Sequence, residues 1–313
     1  MGRLAFGVHL PVMGIGDQEP SREEVLASAR LAERLGFDSL SVNDHISFRT
    51  SWLDSLESLA AVAAVTSTIR LGTSILNVVV RNPVISMKAL SSIDILSSGR
   101  LFAGIGPGSH RGDYDATGIA FEERWGRFHE GLEILSKFWG RDSIDYPGRF
   151  YRLENVSVKP RPVQEPHPPL LVGSWGSETI LKAIARYADG WMASAYNITP
   201  EDLKRKCELL SSLRNESRRD GERRFENSVM TMFCYISPSK EKALRLARER
   251  LSPALGRRPE ELEKLLPFES PEQCILRLNR LFEAGAQRVH FWPIADYSAQ
   301  LEILASEVTP AFQ

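Results

Sequence analysis

Asp44 and His45 stand side by side directly after a short apolar run, and no other pair in the chain carries so clear a chemical signal. A histidine can hold or move a proton near neutral pH, and an adjacent carboxylate can fix its tautomer. Two glycine-rich stretches add a second kind of chemistry. Gly104-Ile105-Gly106-Pro107-Gly108-Ser109 resembles a dinucleotide fingerprint, but Ser109 stands where its third glycine belongs. Its glycines would let backbone approach a flat ring or a phosphate closely. Gly173-Ser174-Trp175-Gly176-Ser177 sets backbone N–H groups and two hydroxyls ahead of a helical stretch, a combination suited to a phosphate monoester. Metal chemistry has little to stand on. His129-Glu130 is followed by Glu133 but lacks the second histidine of a zincin pair, and no Gly-x-Ser-x-Gly elbow marks a serine nucleophile. No metal is expected.

The elements that must position these residues alternate regularly. Leu4–Leu10 reads as a first strand, and Ser21 with Glu24 forms a capping box for a helix that Gly36 stops. Phe37–Val42 is a second strand, and Leu53–Thr66 a second helix. Strand three runs over Ile69–Leu76, and Asn82-Pro83 opens a helix to Leu96. Leu101–Ile105 is strand four, followed by a helix over Phe121–Trp139. Leu170–Val172, Gly190–Ala193, Val229–Ile236 and Gln287–Trp292 complete eight strands, with a helix over Glu178–Tyr187 and a last one through Leu301, Leu304 and Val308. Eight strands followed by helices predict a closed parallel α/β barrel, the (β/α)8 or TIM barrel. An open doubly wound sheet is the alternative that the same alternation allows.

Two segments interrupt the cycle. Gly140–Pro169 holds Pro147-Gly148 between short β-prone runs and then five prolines, which predicts a hairpin and an extended crossing inserted before strand five. Lys204–Arg224 is strongly charged and reads as a solvated helix face. In a parallel barrel the βα loops converge at the C-terminal strand ends. That rule adds His9, the run Thr73-Ser74-Ile75-Leu76-Asn77, Tyr196 and Trp292 to the candidates.

Composition bounds the function. A formal net charge of -1 gives no field that would favour nucleic acid. No apolar run approaches the roughly 18–20 residues of a membrane span. Met1–Gly16 is too short and too lightly flanked for a secretion signal, and Gly2 lacks the serine or threonine context of a myristoylation site. Cys207, Cys234 and Cys274 are odd in number and widely spaced, which suits a reducing, cytoplasmic setting.

Taken together, the motifs resemble those of luciferase-like monooxygenases and F420-dependent reductases. The similarity rests on Gly36–His45, Ile69–Ser74, Asn82-Pro83, Asp94–Leu101, Gly104–Gly108, Lys159-Pro160, Val172-Gly173 and Ala188–Trp191, in one order along essentially the whole chain. The resemblance implies one domain over 1–313, with FMN or the deazaflavin F420 at the barrel mouth. By position, Asp44 and His45 would line the reactive side of the ring, and Thr73, Ser74 and Ile75 would back it, with Ser74–Ile75 as a non-proline cis peptide. The phosphate would lie against Gly173–Ser177, near Gly106–Gly108, and Trp191 and Tyr196 would wall ring or substrate.

The departures carry information. Ser109 occupies the place where sugar-phosphate dehydrogenases of this kind hold an acidic glutamate, which speaks against a sugar phosphate. Flavin monooxygenases often show a Glu-His-His-like run after strand two. Asp44-His45 is closer to the F420 users, so F420 is favoured over FMN. The expected activity is hydride transfer to or from a small organic substrate, by a homodimer. The FMN alternative is a two-component monooxygenase activating oxygen beside a separate reductase. Two rivals remain: a barrel isomerase or aldolase acting on a phosphorylated substrate, for which no convincing Lys or Glu base stands at a strand end, and a non-catalytic flavin-binding barrel.

Overall fold

The computed structural model describes residues 3–217 and 225–312; Met1, Gly2 and the 218–224 part of the charged segment lie outside the described residues. The apolar runs form β1 (Ala5–His9), β2 (Ser39–Val42), β3 (Arg70–Asn77), β4 (Leu101–Gly106), a separate two-stranded hairpin β5 (Ile144–Pro147) and β6 (Arg152–Val156), then β7 (Leu170–Gly173), β8 (Gly190–Ser194), β9 (Glu226–Cys234) and β10 (Arg288–Pro293). The hairpin apart, the strands are parallel and close in the order β1-β2-β3-β4-β7-β8-β9-β10, with β10 back on β1. The expected TIM barrel is the fold, and the open sheet is excluded. Among the described residues no helix is long and apolar enough to cross a membrane.

Local signals explain most boundaries. Ser21 accepts the Glu24 N–H at the start of helix Arg22–Arg34, and Asn82 accepts the Val84 N–H at the start of helix Pro83–Leu96. The expected fourth helix begins as a 3-10 turn over Phe121–Glu123 and continues as Arg124–Phe138. Ahead of it lies a short helix, Arg111–Thr117, absent from the sequence expectation because seven residues are too few for an apolar period to emerge. The same limit hid the run of short helices between Lys240 and Leu265, whereas strand β9 starts three residues earlier than its apolar core suggests.

The insertion is tied down by carboxylates. Buried Asp94 accepts the N–H groups of Val163 and Gln164 and the Gln164 amide. Glu130 accepts three successive N–H groups, Arg149 to Tyr151, at the hairpin turn, and Glu133 takes the hydroxyls of Tyr146 and Tyr187. The acidic residues beside His129 are therefore engaged in holding the hairpin.

The barrel interior is partly polar. Arg288 pairs with Glu226 and donates to Ser39, whose hydroxyl meets His290; His290 in turn meets Ser41, and Ser41 meets His9. Desolvation pulls His9 down from its ordinary value to about 3, against a smaller opposing contribution from its Asn43 hydrogen bond. Burial, then His9 and Arg288, hold His290 well below the ordinary range. Both rings are neutral at pH 7 in the folded chain, whereas in the unfolded chain they take up protons near pH 6.5. The unfolded state then binds more protons from about pH 6.5 down towards 3, so stability is complete above that window and falls with pH inside it. Each ring contributes a slope of about 1.4 kcal/mol per pH unit. Urea unfolding of His290→Gln between pH 6 and pH 5 is expected to show a slope shallower than wild type by about that amount; an unchanged slope would sink the assignment.

Candidate active site

The C-terminal strand ends surround a cavity of about 440 Å³, joined by a smaller one of about 160 Å³. Both share Asn43, His45, Ser109, Trp175, Tyr196 and Thr231. The larger lies within the usual range of small-molecule sites.

Two interrupted strands shape its floor. Pairing of β3 with β4 skips between Thr73 and Leu76, and Ser74–Ile75 is a cis peptide. Ile75 lies across Gly106 and Gly173, where a Cβ on either glycine would collide with it. It forms an apolar floor together with Met192 and Met230. On the other side, β9 slips against β10, and Thr231 adopts a left-handed φ of 56°. Its N–H donates to His9 Nε2 at 2.9 Å. Neutral His9 must then carry its proton on Nδ1, which faces the Ser41 and Ser74 hydroxyls at 3.2 and 3.3 Å. One buried imidazole bridges both bulges.

The loop after β2 is clamped by two carboxylates. Asp44 receives both Nε and Nη2 of Arg81 at 2.8 and 2.6 Å, the Ser55 hydroxyl at 3.0 Å and the Asn77 N–H at 3.1 Å. Burial alone would pull the Arg81 guanidinium down; Asp44 and Asp54 outweigh it and hold it above its ordinary range. His45 does not take its partner from its neighbour. Its Nδ1 meets Asp113 Oδ2 at 2.9 Å, and Asp113 Oδ1 accepts the N–H groups of Ile46 and Ser47. This corrects the expectation that the adjacent carboxylate fixes the tautomer, because Asp44 is turned inward to Arg81. Burial would raise the Asp113 carboxyl, but His45 and the two N–H groups hold it below the usual range. His45 Nε2 has no protein hydrogen-bond partner among the described residues, and the ring is flanked by Phe48 at 4.4 Å and Trp52 at 4.6 Å.

Ser174 and Ser177 line the larger cavity just before helix Glu178–Tyr187, and Arg124, its guanidinium over the Phe121 ring, lines the same cavity. Ser177 occupies the N-cap without capping the helix through its side chain, so its hydroxyl is not committed there.

Of the residues singled out from sequence, Asp44, His45, Ser74, Ile75, Pro107, Gly108, Ser109, Gly173, Ser174, Trp175, Ser177 and Tyr196 line the larger cavity, and Trp292 lines the smaller one. Six line neither. His9 lies beneath the floor; Thr73 donates to the Gly104 carbonyl; the Asn77 side chain accepts the Val79 and Val80 N–H groups. Gly106 is covered by Ile75, and Gly176 packs towards Lys206 and Trp191. Trp191 is fully buried, and its indole N–H supports Ser174 from outside the cavity. Sequence reasoning missed Asp113, Arg81, Arg124 and Thr231. Arg81 stands beside the recognised Asn82-Pro83 cap, but nothing local marks it or the others.

With the barrel and its mouth defined, comparison places the chain. The model of the luciferase-like monooxygenase family matches residues 5–265. The chain belongs to that family and is an oxidoreductase of its class. An uncharacterized protein of Mycobacterium tuberculosis is 32% identical over 215 residues, 62% of this chain and 75% of that protein. The F420-dependent glucose-6-phosphate dehydrogenase of Amycolatopsis mediterranei is 24% identical over 89% of this chain and 91% of its own length. Among solved structures, an F420-dependent secondary alcohol dehydrogenase in complex with an F420-acetone adduct superposes over the whole of both chains with a TM-score of 0.85 at 19% identity. The oxygenating constituent of the Pseudomonas putida 3,6-diketocamphane monooxygenase, in complex with FMN, covers 100% of this chain and 99% of its own, with a TM-score of 0.76 at 19% identity.

Arg81→Ala leaves Asp44 buried without its counter-ion. It is expected to lower the unfolding free energy by about 3–5 kcal/mol in urea denaturation, and the double change Asp44→Asn with Arg81→Met by less, since the one charge then left unpaired, Asp54, is partly exposed to solvent.

Proposed function

We propose that this chain is an F420-dependent oxidoreductase exchanging a hydride with a small organic substrate at the barrel mouth, with His45 as the residue that holds or moves the proton. One observation carries the reading: His45 is locked through Nδ1 by Asp113 while its ring walls both cavities. F420, or FMN in its place, would supply two-electron redox chemistry, which the side chains cannot provide.

The residues present fit such a group. Ile75, Met192 and Met230 offer an apolar floor to a flat ring, with Gly106 and Gly173 leaving the room that Ile75 occupies. Ser174, Ser177 and the helix start behind them suit a phosphate, and Arg124 adds a positive charge to the same cavity. Asp113 accepts from Nδ1, so a neutral His45 presents a lone pair at Nε2 and can take a proton from a substrate hydroxyl. In the reverse direction the protonated ring returns it to a carbonyl oxygen. Asp44 acts at a distance by fixing the loop, and His9 by fixing the floor.

F420 is favoured over FMN by the F420-dependent dehydrogenases among the relatives and by Asp44-His45 after β2. An isomerase or aldolase finds no support, since neither cavity is lined by a lysine or glutamate to serve as base. We place the enzyme in the cytoplasm, consistent with three free cysteines, and as one catalytic unit in a homodimer, for which exposed Ile85 and Leu96 on helix Pro83–Leu96 offer apolar surface.

Fluorescence titration with F420 and FMN is expected to give tighter F420 binding; preference for FMN moves the chain to the two-component monooxygenases, served by a separate reductase. With reduced F420 and a panel of carbonyl acceptors, His45→Ala is expected to lower kcat by about 100-fold or more, the usual scale of general acid–base catalysis, while F420 affinity changes less. Undiminished turnover would remove His45 from the mechanism, and no turnover with any acceptor in wild type would leave only a flavin-binding barrel.

A further inference from the structure

The smaller cavity carries information about the substrate that the larger one does not. Among the described residues its lining includes Arg49 and Arg257 and no aspartate or glutamate. Among the described residues neither arginine forms an ion pair with a carboxylate; Arg257 donates to the Asn197 side-chain carbonyl at 3.1 Å. The two are brought together by a turn. Gly256 ends helix Ser252–Leu255 with a left-handed φ of 61°, and the Arg49 guanidinium lies against it so closely that any Cβ there would collide. Arg257 follows immediately. Two cationic forks therefore face one small space without an internal counter-ion, where like charges repel unless an anion joins them.

Much of the remaining wall is aromatic. Phe233 stacks on Trp292 at 4.6 Å, and Trp52 meets Trp292 edge-on at 6.0 Å. His45 lies on the side shared with the larger cavity. Aromatic faces receive a flat apolar body, while guanidinium groups receive a planar oxyanion in bidentate fashion.

We infer that the substrate is a compact, flat molecule carrying a carboxylate or phosphate, its oxyanion held by Arg49 and Arg257 and its body between the aromatic walls beside His45. The inference rests on the reading of this mouth as the active site. It adds a specificity that the proton chemistry of His45 leaves open. The two arginines are exposed at the rim, so their replacement leaves the core untouched.

Isothermal titration of the full chain without added cofactor tests the point, with benzoate, phenyl phosphate and the neutral isostere benzamide as probes. At least one anion is expected to bind about tenfold or more tightly than benzamide, with affinity that falls as potassium chloride is raised. Arg49→Gln with Arg257→Gln is expected to abolish that advantage without changing benzamide binding, and the paired lysine variant to recover part of it. The preferred anion tells carboxylate from phosphate. Equal binding of benzoate, phenyl phosphate and benzamide, an anion preference that survives the double glutamine change, or no saturable binding of either anion would each overturn the proposal. F420 titration of the same samples separates the outcomes: lost cofactor binding with intact anion preference strikes the oxidoreductase reading alone.

Discussion

Buried charge and a small aromatic cluster, Phe48 and Trp52, hold the loop that carries His45 in place. Asp44 gathers a bidentate arginine, a hydroxyl and a backbone N–H from three separate elements, while Asp113 gathers the imidazole and two N–H groups of the loop itself. A carboxylate sunk this deep is costly unless its lone pairs are filled, and here they are. The adjacent residues Asp44 and His45 point to different partners, one into the scaffold and one towards the mouth. Without both clamps, the ring would be a mobile surface histidine.

A second constraint acts below the mouth. Where β3 and β9 leave their ladders, backbone and hydroxyl groups lose regular partners, and His9 collects them from both sides at once. The Tyr297 hydroxyl supports the His9 carbonyl, and Trp292 stacks on its ring at 4.5 Å. The floor of the large cavity and the aromatic wall of the small one thus share one buried foundation. Strand ends at a barrel mouth are free to diverge chemically because the layers beneath them are packed and satisfied.

Family membership sets the class of chemistry, and the particular site sets its direction. Among the described residues, His45 is the one imidazole or carboxyl group that lines both cavities, while Asp44 is consumed by Arg81. The insertion before β7 is bound to helices through Asp94, Glu130 and Glu133, and none of its described residues lines either cavity.

The alternation of apolar runs and helices determined a parallel α/β fold with right-handed crossovers, and the pairing of β10 with β1 decided that the sheet closes. The same reading reached His45, Ile75 and the Ser174–Ser177 turn, because strand ends are visible in sequence and the barrel rule converts them into a site. It also overreached at Thr73, Asn77 and Trp191, where neighbours along a strand end face different ways and only packing decides which. Asp113 lies 68 positions from His45, and Arg257 more than two hundred from Arg49, so no local period connects them. Contacts of that range are made by closing the barrel. Sequence determined which elements form and which ends they expose, and tertiary structure decided which charge meets which ring.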